Sequence, residues 1–171
     1  PATLAQANTT LGEWYFDPTT KKLRMYFGAA NPSSYVVKGA TIDFLLSVLG
    51  KAYITVDNIV FHGANTKIVN KQGSNHFIVK NSEISYAGQD GVAGITSLST
   101  NVANTYTGNL FNWNNDDALY LNLADQTTLT GKTVTNYTIT NNTIKNTATF
   151  QGMGRSGDSK YTGISVFGGN N

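Results

Sequence analysis

A chain of 171 residues can enclose one continuous core and is short for two. Hydrophobic residues make up 40% of it, which excludes a disordered chain, while charged residues make up only 13%, about half the ~25% usual in a soluble domain. A net charge of +2 on scattered Lys is too small to suggest a nucleic-acid or anionic-membrane surface; the absence of Cys excludes disulfides and thiolate metal sites; and no apolar run approaches the ~18 residues of a membrane span.

Asn, Thr, Ser and Gly replace the missing charge, with 20 Asn and Thr commoner still. That mixture suits an all-β protein whose turns and exposed strand faces are neutral and hydrogen-bonding. In chain order, the first element is a β-hairpin. Two alternating aromatic-rich runs, Gly12 to Phe16 and Lys21 to Phe27, flank Asp17-Pro18-Thr19-Thr20. Pro after Asp presets a tight reversal there. Gly28 to Ser34 reads as a loop. Tyr35 to Leu49 reads as buried strand in preference to a short helix, because β-branched residues and Gly39 interrupt any helical stripe.

From Tyr53 the chain repeats: a large apolar residue, any residue, Asn or Gly, two more residues, then another apolar residue. The pattern starts at Val56, Val79, Tyr106 and Ile139, at separations of 23, 27 and 33 residues. Periods of this size point to a solenoid, propeller or array. In a straight strand, residues five apart face opposite sides, so both apolar ends reach one core only if the chain bends between them. Asn58, Asn81, Gly108 and Asn141 sit at that bend and tolerate the left-handed conformation it needs. Stacked corners would let Asn58, Asn81 and Asn141 form an amide ladder. A third apolar segment follows each motif, at Lys67, Gly94, Ala118 and Gly163. The expected fold is all-β: a right-handed parallel β-helix with an N-terminal hairpin. Residues 1–50 would be the entry or cap segment and 51–171 the coils. Gly168-Gly169-Asn170-Asn171 reads as a corner leading into a further strand, so the array is expected to continue in a longer parent chain.

The run Tyr53 to Gly63, the segment Ile139 to Asn146 and the segment Tyr161 to Val166 resemble coils of the pectate-lyase-like superfamily. The Gly12-Glu13-Trp14-Tyr15 hairpin followed by Asn31-Pro32-Ser33 resembles the entry segment of large bacterial β-helix glycosidases and lyases. The resemblance implies a secreted or cell-surface bacterial protein acting on, or holding, polysaccharide, without nucleic acid or membrane insertion. Of the polygalacturonase motifs, only a paired Asp, Asp116-Asp117, occurs. The pectate-lyase pattern of a basic residue beside carboxylate-held Ca²⁺ finds one late Arg, Arg155, and no clear acidic cluster beside it.

The strongest chemical candidate is an acidic column. Asp90 and Asp117 each precede the third strand of their coil, and Asp116 adjoins Asp117. Stacked coils would bring these carboxylates together as an acid/base pair for glycoside hydrolysis, or as a Ca²⁺ site. The competing register matches Gly94-Ile95 to Ala118-Leu119, and the competing role is turn-type hydrogen bonding. Arg155 and Lys160, in a Gly-rich loop, would contact an acidic sugar, or simply be solvated. Trp113 and Tyr120 would stack on sugar rings, or pack into the core. No metal site is expected from His62 and His76. His62 should point outward on the side of Asp57. Thr105/Thr107 and Thr138/Thr140 form Thr-x-Thr pairs like those of ice-binding arrays, which uneven coil lengths should spoil. Two functions follow as expectations: a carbohydrate-active module, whether hydrolase, lyase or binder, and a non-catalytic structural or adhesive stalk.

Overall fold

The computed structural model describes residues 10–96, 103–123, 136–149 and 162–167. The chain forms two compact units, Pro1–Lys38 and Gly39–Asn171.

In the first unit, β1 (Trp14–Asp17) pairs antiparallel with β2 (Lys22–Met25), with Trp14 opposite Met25 and Asp17 opposite Lys22. Asp17 closes the turn. Its carboxylate accepts hydrogen bonds from the backbone N–H groups of Thr19 at 2.9 Å and Thr20 at 3.1 Å, and from the Thr20 hydroxyl at 2.6 Å. The Thr20 bonds above all hold the Asp17 carboxyl below its ordinary pKa. Lys21, at φ 57°, completes the reversal. Pro32–Ser34 form one 3-10 turn capped by Asn31, whose side chain accepts from the Ser33 N–H.

The second unit is built of parallel strands. Its first sheet contains β4 (Thr55–Asp57), β7 (Ile78–Lys80), β10 (Asn104–Thr107) and β13 (Tyr137–Thr140). The second contains β5 (Val60–Ala64), β8 (Glu83–Ala87), β11 (Leu110–Asn112) and β14 (Thr143–Lys145). The third contains β3 (Phe44–Leu49), β6 (Lys67–Gln72), β9 (Val92–Thr96), β12 (Leu119–Leu123) and β15 (Ile164–Phe167). From β4 onward the chain visits the three sheets in the same order and returns each time to the strand beside the previous one. No α-helix occurs among the described residues, so the unit is all-β and consistent with a β-solenoid.

Strand β3 (Phe44–Leu49), within the segment expected to be the entry or cap, pairs in parallel with β6 and is the first strand of the third sheet. The strand expected over Tyr35 to Leu49 begins only at Phe44. Tyr35–Asp43 carries no strand, and Val36, Val37 and Ile42 are exposed. Local β-propensity there finds no strand to pair with among the described residues.

The repeat is five residues long in the first two sheets. Left-handed backbone occurs at Tyr53, Asn58 and Gly63, again at His76, Asn81 and Tyr86, then at Gly108 and Trp113, and finally at Asn136, Asn141 and Asn146. The four corners expected from sequence are among these, with φ of 56°, 51°, 66° and 55° at Asn58, Asn81, Gly108 and Asn141. Each bend turns the next strand back onto a common core. Val56, Val79, Tyr106 and Ile139 therefore stack in one column, and Phe61, Ile84, Phe111 and Ile144 in the next. Val79, Ile84, Tyr106 and Phe111, in the middle layers, are fully buried.

The amide ladder is not where it was expected. Asn81 turns outward and donates to Asp57 at 3.0 Å. The buried ladder is built by the residue after each corner. Ser82 N–H donates to Asn109 Oδ1 at 3.0 Å, and Asn109 Nδ2 donates to Val79 O at 2.9 Å and Asn142 Oδ1 at 3.0 Å. Asn142 Nδ2 in turn donates to Tyr106 O at 2.8 Å. The physical reason is the left-handed corner itself. It breaks the regular ladder, leaving the next N–H to be satisfied by a side chain from the neighbouring layer. Asn104 and Asn114 do the same for Phe77 and Ala87 N–H, at 3.0 and 3.1 Å.

Candidate functional site

The register of the third sheet decides the acidic column. Val92 pairs with Leu119, so Asp90 and Asp117, each two residues earlier, occupy equivalent positions in adjacent layers. Gly91 N–H donates to Asp117 O at 2.9 Å, and Asp116 N–H donates to Gln89 O at 3.1 Å. The alternative register, Gly94 against Ala118, is excluded because Gly94 pairs with Leu121. The layers approach closely here: a Cβ on Gly91 would lie 2.6 Å from Ala118 O and 2.9 Å from Asn114 Nδ2.

Asp90, Asp116 and Asp117 each place a carboxylate oxygen within 4.8 Å of the others, and all three are buried, at 0, 1 and 1% exposure. Asp117 Oδ1 accepts from the Thr162 N–H at 2.8 Å and the Thr162 hydroxyl at 3.0 Å, and that hydroxyl also bonds Ser165 Oγ. Charges this close and this dry repel strongly unless a proton or a cation is shared among them. These oxygens are the set that could hold a hard divalent cation such as Ca²⁺.

A second constellation lies on the outward face of the second sheet. His62, Ser85, Asn112 and Lys145 stack in register, with Glu83 in the neighbouring column. His62 Nε2 lies 2.8 Å from Glu83 Oε1, and the Ser85 hydroxyl donates to the same oxygen at 2.8 Å. The His62 bond, followed by that of Ser85, holds the Glu83 carboxyl below its ordinary pKa. His62 points outward as expected, but its carboxylate partner is Glu83. Asp57 instead bonds Asn81 and pairs with Lys80 Nζ at 3.2 Å. Ser85 and His62 meet one carboxylate oxygen and not each other, so the group lacks the nucleophile-to-base bond of a hydrolytic triad.

The corner at the end of this sheet stacks Gly63, Tyr86, Trp113 and Asn146, all left-handed, with φ of 80°, 66°, 56° and 51°. Gly and Asn suit that conformation, whereas bulky aromatic residues occupy it at a cost of about 1 kcal/mol or more. Tyr86 is 53% exposed and makes an edge-on contact with the His62 ring at 5.6 Å. Trp113 is half-buried. It stands beside Tyr86 in the next layer, a placement that the five-residue spacing encodes. Asn104, Asn109 and Asn114, and Asn136, Asn141 and Asn146, carry that spacing openly.

Tyr120 lies on β12, half-buried, and its hydroxyl accepts from Asn122 Nδ2 at 3.0 Å. Arg155 and Lys160 lie outside the described residues. The Thr pairs are in register, Thr105 with Thr138 and Thr107 with Thr140, and the latter hydroxyls are 2.9 Å apart. Uneven repeat lengths leave this register intact, because between Thr105 and Thr138 the extra residues fall after the third sheet and before the next strand of the first. Ile78 and Lys80 occupy the same columns one layer below, so the Thr array is two strands deep there. No helix among the described residues is long and apolar enough to cross a membrane. No family model matches the chain, nor does any curated protein or solved structure.

Proposed function

We propose that the chain is a run of right-handed parallel β-helix of the pectate-lyase-like kind, and that it binds extracellular polysaccharide along an outer corner. Right-handedness follows from the strong preference of parallel strand crossovers for that hand. The observation that carries the binding reading is the Tyr86–Trp113 pair. Two aromatic residues occupy successive left-handed positions where Gly63 and Asn146 are the unstrained choices, and Tyr86 keeps half its surface in solvent. Backbone strain retained for an exposed ring marks a ring used from outside. Sugar C–H faces suit such rings, and His62, Glu83, Asn112 and Lys145 supply hydrogen-bonding groups on the adjoining sheet face.

The burial of Asp90, Asp116 and Asp117 favours binding over turnover, because a sugar chain must touch its acid and its base. In this reading the trio serves the scaffold, with shared protons or Ca²⁺ holding its charge, and the protein is a secreted or surface-attached binder or adhesin.

The test is a glycan array with the full chain, alongside Tyr86→Asn and Trp113→Asn. Asn accepts the left-handed conformation, so both variants should melt no lower than the parent while binding at least 10-fold more weakly. Retention of no glycan by the parent, or undiminished binding by both variants, would overturn the proposal and leave a stalk without chemistry of its own.

A further inference from the structure

Lys71 is core-facing and fully buried on β6, in the same column as Val48, Gly94 and Leu121. Its Nζ has no hydrogen-bond partner. Gly94, its register partner in the next layer, contributes no side chain. The position a Gly94 Cβ would take lies 4.0 Å from the Tyr106 hydroxyl, which is also buried and unpartnered. Asn104 sits two residues before Tyr106 on the same core-facing side of β10 and is fully buried.

Asn104 departs from its two equivalents in one respect. Asn109 Nδ2 donates to Val79 O and Asn114 Nδ2 to Ile84 O, in each case a carbonyl thirty residues earlier. The matching partner for Asn104 would be at Ser74, three residues from Lys71, and Asn104 Nδ2 makes no bond there or elsewhere. Lys71 Nζ, Asn104 Nδ2 and the Tyr106 hydroxyl thus lack partners around the passage from the third sheet back to the first, where Asn75 Oδ1 and His76 Nδ1 are also buried without one.

We propose that Lys71, Asn104 and Tyr106 form an internal binding site for a small monovalent anion of halide size. The donors favour an anion: ammonium and amide nitrogens only donate, and the Tyr106 hydroxyl can turn its hydrogen to the same acceptor. An anion accepts from all three and offsets the charge.

Among the described residues no carboxylate is paired with Lys71. Desolvation alone lowers its pKa, to about 8. Desolvation likewise pushes the Tyr106 hydroxyl well above its ordinary range, so it remains a neutral donor. Among the described residues Tyr137 is the titratable group that acts on Tyr106, and His76 stacks on Tyr53 at the corner with ring centroids 4.4 Å apart.

The experiment is thermal melting of the full chain in sodium chloride or bromide against sodium gluconate at equal ionic strength, at pH 7 and pH 10. Bound anion should raise the midpoint by about 2–4 °C at saturation at pH 7, and the increment should vanish at pH 10, where the amine is neutral. Lys71→Met should show no increment at either pH. Tyr106→Phe, which keeps the ring, should shrink it and guards against a Lys71→Met chain that fails to fold. Equal midpoints in halide and gluconate at pH 7, or an increment that survives at pH 10 or in the Lys71→Met chain, would overturn the proposal. Because the site shares no residue with the Tyr86 corner, glycan binding and the halide increment can fail independently.

Discussion

A lysine in a hydrocarbon column is the residue on which pH should act most visibly. Lys71 has an ordinary pKa of 10.5 and is lowered to about 8 by burial. Between those values the unfolded chain holds the proton and the folded chain does not, so stability rises with pH across that window and is flat below it. The full difference is on the order of 3 kcal/mol. In halide-free buffer, urea melts from pH 7 to 10.5 should show this rise, and Lys71→Met should abolish it while starting from higher stability. Asp117 supports an opposite contrast. Asp117→Asn keeps an oxygen for the Thr162 N–H and removes one charge from three crowded carboxylates, so its midpoint should hold or rise. Asp117→Ala strands that N–H and should lose about 1–3 kcal/mol. The two chemical denaturation curves decide whether Asp117 acts through its charge or through its acceptor.

At the scale of strands and corners, the five-residue repeat divides its labour between neighbours. The corner residue supplies a conformation, and the next residue supplies the hydrogen bonds that the corner forfeits. Asn81→Gly should therefore be nearly neutral, since Gly keeps the left-handed backbone and loses only an exposed bond to Asp57. Asn109→Ala removes the acceptor for Ser82 N–H and the donor to Val79 O inside the core. A loss of about 2–4 kcal/mol is expected, which equilibrium unfolding in urea would measure. Close approach sets a different limit at Gly88, where a Cβ would lie 2.0 Å from Asn65 O. No rotamer relieves a clash with backbone, so Gly88→Ala should destabilise more than Asn109→Ala.

For the second unit as a whole, stability is a sum over stacked layers, each touching only its neighbours. Phe111 and Ile84 lie between layers and are fully buried, whereas Ile144, in the same column, is only partly covered. Phe111→Ala should lose about 3–5 kcal/mol and Ile144→Ala well under half of that. Native-state hydrogen exchange should likewise protect β8 and β11 above β14, which has a single neighbouring strand among the described residues. Equal protection across these strands would show that the layers melt as one block.

The sequence by itself determined the hairpin, the parallel repeat and the corners at Asn58, Asn81, Gly108 and Asn141, because each depends on local preferences: turn chemistry, alternation, and the left-handed tolerance of Asn and Gly. It also brought Asp90 and Asp117 to one column once their strands were aligned, though it left two registers open. Only the tertiary structure chose between them, since a parallel register depends on where the preceding layer lies. It alone moved the amide ladder from Asn81 to Ser82, Asn109 and Asn142, because side-chain direction at a corner is set by the bend. It alone showed Lys71 turned inward against Gly94 and the acidic trio sealed from solvent. Burial belongs to neighbours some 25 residues away in the chain, and no local pattern of charge or hydropathy encodes it.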